Sequence, residues 1–329
     1  MARIITANHE TINEAAQILK DGGLIGMPTE TVYGLAANAL NGEAVARIFE
    51  AKGRPAFNPL ITHFAHVKEI EPYAHMDDRA RLIAHHFWPG PLTLILPRKK
   101  DSAISELASA GLPTLAVRIP AHETARALIR AAGVPIVAPS ANISGALSPT
   151  SPAHVAQNLG DKIDLILAAG ACSVGLESSV LDLSGDKPAL LRPGAITAED
   201  IAQVLGEDIA YECTPCDNPK SPGLLLKHYA PDTPVRLNAI DLEAGEALLA
   251  FSSDKFIGIK GGGAAKDLPE DMHRNLSQTG DLNEAAANLF AMLKELDRPE
   301  HKSIAVMAIP NTGLGIAIND RLSRAASSL

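Results

Sequence analysis

The sequence predicts an α/β protein: a larger N-terminal domain on a twisted mixed sheet with one concave face, then a smaller α/β domain. Three observations predict this. Strand-type apolar runs alternate with segments of helical period, but at irregular spacing, which argues against a regular doubly wound sheet. At 329 residues the chain suits two domains, and 46% hydrophobic against 20% charged residues lets each bury a core. Composition then changes near 211: the stretch 211–234 holds five prolines, two cysteines and little periodicity. The boundaries are therefore drawn at 1–210, 211–234 and 235–329.

In order along the chain, Ile12, Ala15, Ala16 and Leu19 form one stripe of a helix over 9–20. Leu24-Ile25-Gly26-Met27 reads as a short strand stopped by Pro28. Val45, Ile48 and Phe49 face inward from a helix over 43–51. Strands are expected at 60–64, 92–97, 114–119, 134–138, 164–168, 178–183 and 189–192, and helices at 78–87, 122–131 and 151–159. Thr150 or Ser151 ahead of Pro152 supplies a cap and a first-turn proline. In the second domain, strands are expected at 246–251, 256–260 and 303–309, and helices at 281–297 and 319–327.

A net charge of -9 argues against broad nonspecific nucleic-acid binding. The first twenty residues lack a charged-then-apolar signal pattern, and no apolar run reaches the roughly 18 residues of a membrane span. Three cysteines, Cys172, Cys213 and Cys216, make no disulfide framework, and Cys213 and Cys216 supply only two zinc ligands. The expected setting is the cytoplasm, with no membrane association.

Two clusters carry residues suited to gripping phosphate. Lys52-Gly53-Arg54-Pro55 with Asn58-Pro59-Leu60 is the first; on an extended segment, Lys52 and Arg54 would point to one side as a point charge and a planar fork. Pro139-Ser140-Ala141-Asn142 with Ser144-Gly145 and Ser148-Pro149-Thr150 is the second, in Gly/Pro-rich turns. Arg118 ends the strand that begins at Thr114 and suits either a carboxylate or a structural ion pair. His63 lies within an apolar run, where a structural role is the commoner one. Pro28-Thr29-Glu30-Thr31-Val32-Tyr33-Gly34-Leu35, Glu177-Ser178-Ser179 and Leu191-Arg192-Pro193-Gly194 are each weak alone. The apolar, cationic and aromatic stretch 221–231, ending His228-Tyr229-Ala230-Pro231, reads as a segment that packs on something.

Taken together, PTETVYGL at 28–35, KGRP and NPL within 52–60, PSANISG at 139–145, RPGAIT at 192–197, SPG with HYAP within 221–231, and AINDRLSRAA at 317–326 resemble the Sua5/YrdC family of L-threonylcarbamoyladenylate synthases, in its long form. The resemblance spans essentially the whole chain. It implies a YrdC-like catalytic domain, a linker acting as a lid over the active site, and a C-terminal Rossmann-like α/β domain. It implies synthesis of L-threonylcarbamoyl-AMP and pyrophosphate from L-threonine, bicarbonate or CO2, and ATP with Mg2+, without a covalent enzyme intermediate. The product would serve N6-threonylcarbamoylation of tRNA adenosine 37 by a downstream tRNA threonylcarbamoyltransferase complex. Matched by position, Thr31, His63, Arg118, Ser178 and the backbone of Ala138 would hold L-threonine. Lys52, Arg54, Asn58, Thr114, Ser140, Asn142, Ser148, Arg192 and Tyr229 would hold ATP, with Lys52, Arg54 and Arg192 acting in catalysis and no protein metal ligand. Phe57 departs from the acidic residue expected in that segment. An alternative reading is an RNA-binding module of the same fold, with weak tRNA binding as its candidate interaction; the negative charge and the few aromatic residues argue against a base-stacking platform.

Overall fold

The computed structural model describes residues 2–55, 57–212, 229–254, 257–260 and 262–327. The described chain divides into two units. The first takes in 2–144, 148–173 and 177–212; the second takes in 145–147, 174–176 and 229–327. Cys213, Cys216 and the expected lid residues 221–228 lie outside the described residues.

The first unit runs β1 (Arg3–Thr6), α1 (His9–Lys20), β2 (Ile25–Met27), β3 (Gly34–Asn38), α2 (Gly42–Lys52), β4 (Ile61–His63), α3 (Asp78–Phe87), β5 (Leu92–Pro97), α4 (Glu106–Ser109), β6 (Thr114–Arg118), α5 (Glu123–Ala132), β7 (Ile136–Val137), α6 (Pro152–Leu159), β8 (Leu165–Ala168), β9 (Ser179–Asp182), β10 (Ala189–Arg192), α7 (Ala198–Leu205) and β11 (Ala210–Tyr211). Helix starts are chemically marked. Asn8 and Thr11 exchange side-chain-to-backbone hydrogen bonds at the head of α1, and Ser151 caps α6 ahead of Pro152. Ala15, Ala16 and Leu19 are the buried stripe of α1, as their spacing predicts.

Among the described residues the strands form one mixed sheet in the order β1-β8-β2-β3-β7-β4-β6-β5-β9-β10-β11. Its centre positions the site. β4 and β6 are parallel, pairing Ile61 with Ala116 and His63 with Arg118; β5 is antiparallel to β6 and parallel to β9. Paired residues share a face, and alternate residues switch faces. One face therefore carries Thr62, Leu94, Leu115, Val117 and Leu181 into the main core. The other carries His63, Arg118, Thr93 and Thr114 around a small apolar floor of Ile61, Ile95, Ala116, Val180, Ala189 and Leu191.

Several elements were not legible. β3 is built of Gly-Leu-Ala-Ala-Asn, without β-branched residues, and is a strand because β2 and β7 pair with it on either side. β1, α4, α7 and β11 were also not expected, although Thr197 and Asp200 form a readable capping box before α7. The expected strand 134–138 contracts to β7.

In the second unit, β12 (Val235–Arg236), β13 (Asp241–Leu242), β14 (Glu246–Ala250), β15 (Gly258–Ile259), β16 (His273–Asn275), α8 (Leu282–Leu296), β17 (Ser303–Val306) and α9 (Leu314–Ala326) follow. The sheet β12-β17-β14-β16 is parallel throughout, consistent with a Rossmann-like arrangement. α9 begins five residues before the expected 319. A Cβ on Gly315 would stand 1.9 Å from the Pro310 carbonyl, so its first turn needs a glycine that propensity counts against a helix.

Candidate active site

α2 ends at Lys52, and Gly53 closes it in the left-handed region at φ 60°. Lys52 and Arg54 are therefore not on one extended segment, and the expected side-by-side display is corrected: a helix end and a glycine turn separate them. Lys52 is buried and donates to the Ser140 and Asn142 carbonyls, each at 2.6 Å. The Ser144 amide donates back to the Lys52 carbonyl at 2.8 Å. Both sequence clusters thus close on this one ammonium. Burial, then the adjacent Arg54 charge, push its pKa well below the usual lysine value. Arg54 donates to the Pro59 carbonyl at 3.0 Å and the Asn58 carbonyl at 3.4 Å. The Asn58 amide is buried, and neither its oxygen nor its nitrogen has a hydrogen-bond partner among the described residues. Phe57 beside it is 46% exposed.

A second cluster surrounds Arg118. Its guanidinium donates to Thr31 Oγ1 at 2.9 Å, Glu30 Oε1 at 2.5 Å and the Gly90 carbonyl at 3.2 Å. Three of its five N–H donors are so used; one on each terminal nitrogen has no partner among the described residues. His63 Nδ1, His122 Nδ1 and Glu30 Oε2 are buried without hydrogen-bond partners among the described residues. Burial, followed by the Arg118 charge, lowers the His63 pKa to about 3, so its ring is neutral at working pH. Burial also raises the pKa of the nearby Cys172 thiol to about 12, which keeps it protonated and inert.

A third cluster lies at the end of β10. Arg192 donates to the Ser178 carbonyl at 2.9 Å and its hydroxyl at 3.1 Å, and Thr93 Oγ1 lies 2.8 Å from that hydroxyl. A Cβ on Gly194 would come within 2.4 Å of the Ser179 amide, so glycine permits this approach. Ser148 donates to the Glu177 carboxylate, next in chain to Ser178. Backbone contacts tie the clusters together. Tyr33 donates to the Pro149 carbonyl and accepts from the Ala141 amide, both at 2.8 Å, while Ser179 donates to the Pro91 carbonyl at 3.0 Å, beside Gly90.

The remaining expected residues divide. The Ala138 amide is used on the Ile61 carbonyl at 3.1 Å, on the face shared with His63. Thr114 shares a face with Arg118 but stands at the opposite end of β6, beyond Ala116. Tyr229 belongs to the second unit, where its buried ring lies 5.5 Å from that of Phe290 and 5.4 Å from the Arg321 guanidinium. Glu30, His122, Thr93 and Glu177 went unassigned from sequence. Glu30 sits within PTETVYGL, but its partner Arg118 is 88 positions away. Among the described residues, no group of three or more His, Cys, Asp and Glu side chains forms a metal site, and no helix is long and apolar enough to cross a membrane.

Residues 17–194 match the Sua5_yciO_yrdC family model, described as "Telomere recombination", and residues 196–327 match the Sua5_C model, described as "Threonylcarbamoyl-AMP synthase, C-terminal domain". The threonylcarbamoyl-AMP synthase of Pyrococcus abyssi is 42% identical over 325 residues, covering 96% of this chain and 94% of its own. That of Bacillus subtilis is 40% identical over 336 residues, covering 98% and 94%. The crystal structure of P. abyssi Sua5 complexed with L-threonine superposes with a TM-score of 0.87 at 37% identity, covering 99% of this chain and 97% of that one.

Proposed function

Because the chain belongs to the Sua5/YrdC family, whose closely similar members are threonylcarbamoyl-AMP synthases of nucleotidyltransferase type, we propose that it converts L-threonine, bicarbonate or CO2, and MgATP into L-threonylcarbamoyl-AMP and pyrophosphate. The threonine amine adds CO2 to give a carbamate. A carbamate oxygen then forms a bond to the α-phosphorus as the bond to pyrophosphate breaks. Such chemistry asks for positioning, charge neutralisation and water exclusion, and needs no protein nucleophile.

The observation that carries the reading is the set of buried polar atoms with no partner among the described residues, beside Arg118 and at Asn58. Buried polar groups are normally satisfied, and unsatisfied ones cost free energy unless a ligand completes them. The two open N–H groups of Arg118 suit the threonine carboxylate. Thr31, neutral His63, the Ala138 carbonyl and Ser178 complete that subsite. Lys52, Arg54 and Asn58, with Ser140, Asn142, Ser148, Thr114 and Arg192, take the nucleotide. Among the described residues Lys52 is bonded only to neutral carbonyls and neighbours a second cation, an environment that an anionic triphosphate would relieve. Mg2+ enters with ATP, held by phosphate oxygens and water. In this reading the product passes to a tRNA threonylcarbamoyltransferase complex for modification of adenosine 37.

The test is pyrophosphate release from MgATP and bicarbonate, with and without L-threonine, with mass detection of the adenylate. Threonine-dependent release with a threonylcarbamoyl-AMP mass is expected. Release that ignores threonine, or none from a folded protein that binds ATP, rejects the reading.

A further inference from the structure

Glu30 lies between Thr29 and Thr31 in the segment that follows β2, and its side chain is buried. One carboxylate oxygen, Oε1, accepts from Arg118 at 2.5 Å. The other, Oε2, is buried and completes no hydrogen bond with any described residue. The charged form is the one present. Burial alone would raise the pKa, but the Arg118 charge and the hydrogen bonds outweigh it and hold the group below its ordinary value. A buried anionic oxygen without a completed hydrogen bond is costly: beyond Arg118, the backbone N–H groups of Ala121 and Glu30 act on the carboxylate, but no described residue closes a hydrogen bond on Oε2. Thr31 Oγ1 already accepts from Arg118 and lies 2.8 Å from Thr29 Oγ1, whose own hydrogen has the Val32 carbonyl at 2.6 Å. His122 feels the Glu30 charge, yet its Nδ1 is itself without a partner among the described residues.

We propose that Glu30 Oε2 accepts the hydroxyl hydrogen of the amino-acid substrate, making Glu30 the residue that separates a β-hydroxy amino acid from its aliphatic isostere. The proposal rests on the reading of the Arg118 pocket as the amino-acid subsite. Of the donors such a substrate carries, the hydroxyl fits better than the amine. Carbamate formation removes two protons from the ammonium, R–NH3+ plus CO2 giving R–NH–CO2− plus 2 H+. A fixed carboxylate at the nitrogen would stabilise the ammonium and then repel the carbamate that replaces it. The hydroxyl loses no proton in the reaction, so a charge-assisted hydrogen bond to it survives from binding through adenylyl transfer. A site built to bond a substrate hydroxyl rejects the analogue lacking it by roughly 10⁴-fold, because the protein's own polar group is then left unpaired.

The experiment measures kcat/KM for L-threonine, L-serine, L-valine and L-2-aminobutyrate in pyrophosphate release at saturating MgATP and bicarbonate, for the unmodified protein and for Glu30→Gln. The unmodified protein is expected to favour the two hydroxy amino acids strongly. In Glu30→Gln, a neutral amide replaces the charged acceptor, and the threonine-to-valine ratio is expected to fall at least tenfold on the order of a lost charge-assisted bond. Equal loss for all four substrates would overturn the proposal and leave Glu30 as a support for Arg118 alone. No discrimination by the unmodified protein would overturn it without any variant. Absence of turnover with every amino acid would instead reject the subsite reading beneath it. If Glu30→Gln does not fold, Glu30→Asp keeps the charge opposite Arg118 and retracts it by one methylene; unchanged discrimination there also overturns the proposal.

Discussion

Arg192 holds Ser178 at two points, its Nε on the Ser178 carbonyl at 2.9 Å and a terminal nitrogen on the Ser178 hydroxyl at 3.1 Å. The planar fork makes both contacts while carrying a buried positive charge at the end of β10. Lysine keeps the charge but offers one point in place of two. Arg192→Lys is therefore expected to lower kcat/KM about 10²-fold, the scale seen when one preorganised donor is lost, with little change in circular dichroism. A rate within threefold of the original would deny Arg192 a role in the reaction.

Lys52 yields a proton-linkage prediction. Burial and Arg54 lower its pKa in the free protein, and a bound triphosphate beside it would raise that value again. ATP binding should then take up protons in the pH window between the lowered free titration of Lys52 and its raised bound one. Calorimetry in buffers of differing ionisation enthalpy reads this directly. Lys52→Met should abolish the uptake and weaken ATP binding; uptake that persists in the variant would place the titrating group elsewhere.

The signals that could be read in the sequence were local ones. The α1 stripe, Ser151 before Pro152, a strand containing His63 and strands ending on Arg118 and Arg192 all follow from period and turn chemistry. What stayed hidden depended on distant partners. Glu30 carries no signal of its own until folding sets Arg118 against it, and β3 has no strand propensity until β2 and β7 flank it. The Lys52–Arg54 geometry departs from an extended segment for a related reason. The helix runs through Lys52, and the left-handed turn at Gly53 then redirects the chain.

His63 gives a prediction about acid stability. Its folded pKa of about 3 lies below the ordinary 6.5, so between those values the unfolded chain binds a proton that the folded one refuses. Stability should therefore fall on acidification from pH 6.5 toward 3, by about 1.4 kcal/mol per pH unit from this group alone. Above 6.5 both states carry neutral imidazole, and this contribution is flat. His63→Gln should have a shallower acid limb in denaturant titrations from pH 7 to 4. An unchanged slope would show that other groups govern the acid response.

Asn58 separates function from stability. Its buried amide leaves both polar atoms without partners among the described residues, which the free protein bears at a cost of about 1–3 kcal/mol per group. A residue retained for folding alone would gain by becoming apolar, whereas one that completes its bonds on a nucleotide would lose by it. Asn58→Leu keeps the branching at Cγ and removes the unsatisfied atoms. It is expected to raise the stability of the ligand-free protein by about 1 kcal/mol and to shrink the ATP-induced rise in melting temperature, since that rise scales with ligand affinity. The two changes have opposite signs, so a general packing defect cannot imitate them: such a defect would lower the ligand-free melting point as well. If Asn58→Leu instead destabilises the free protein and leaves the ATP-induced shift intact, Asn58 serves the loop beside Arg54 and does not bind the nucleotide.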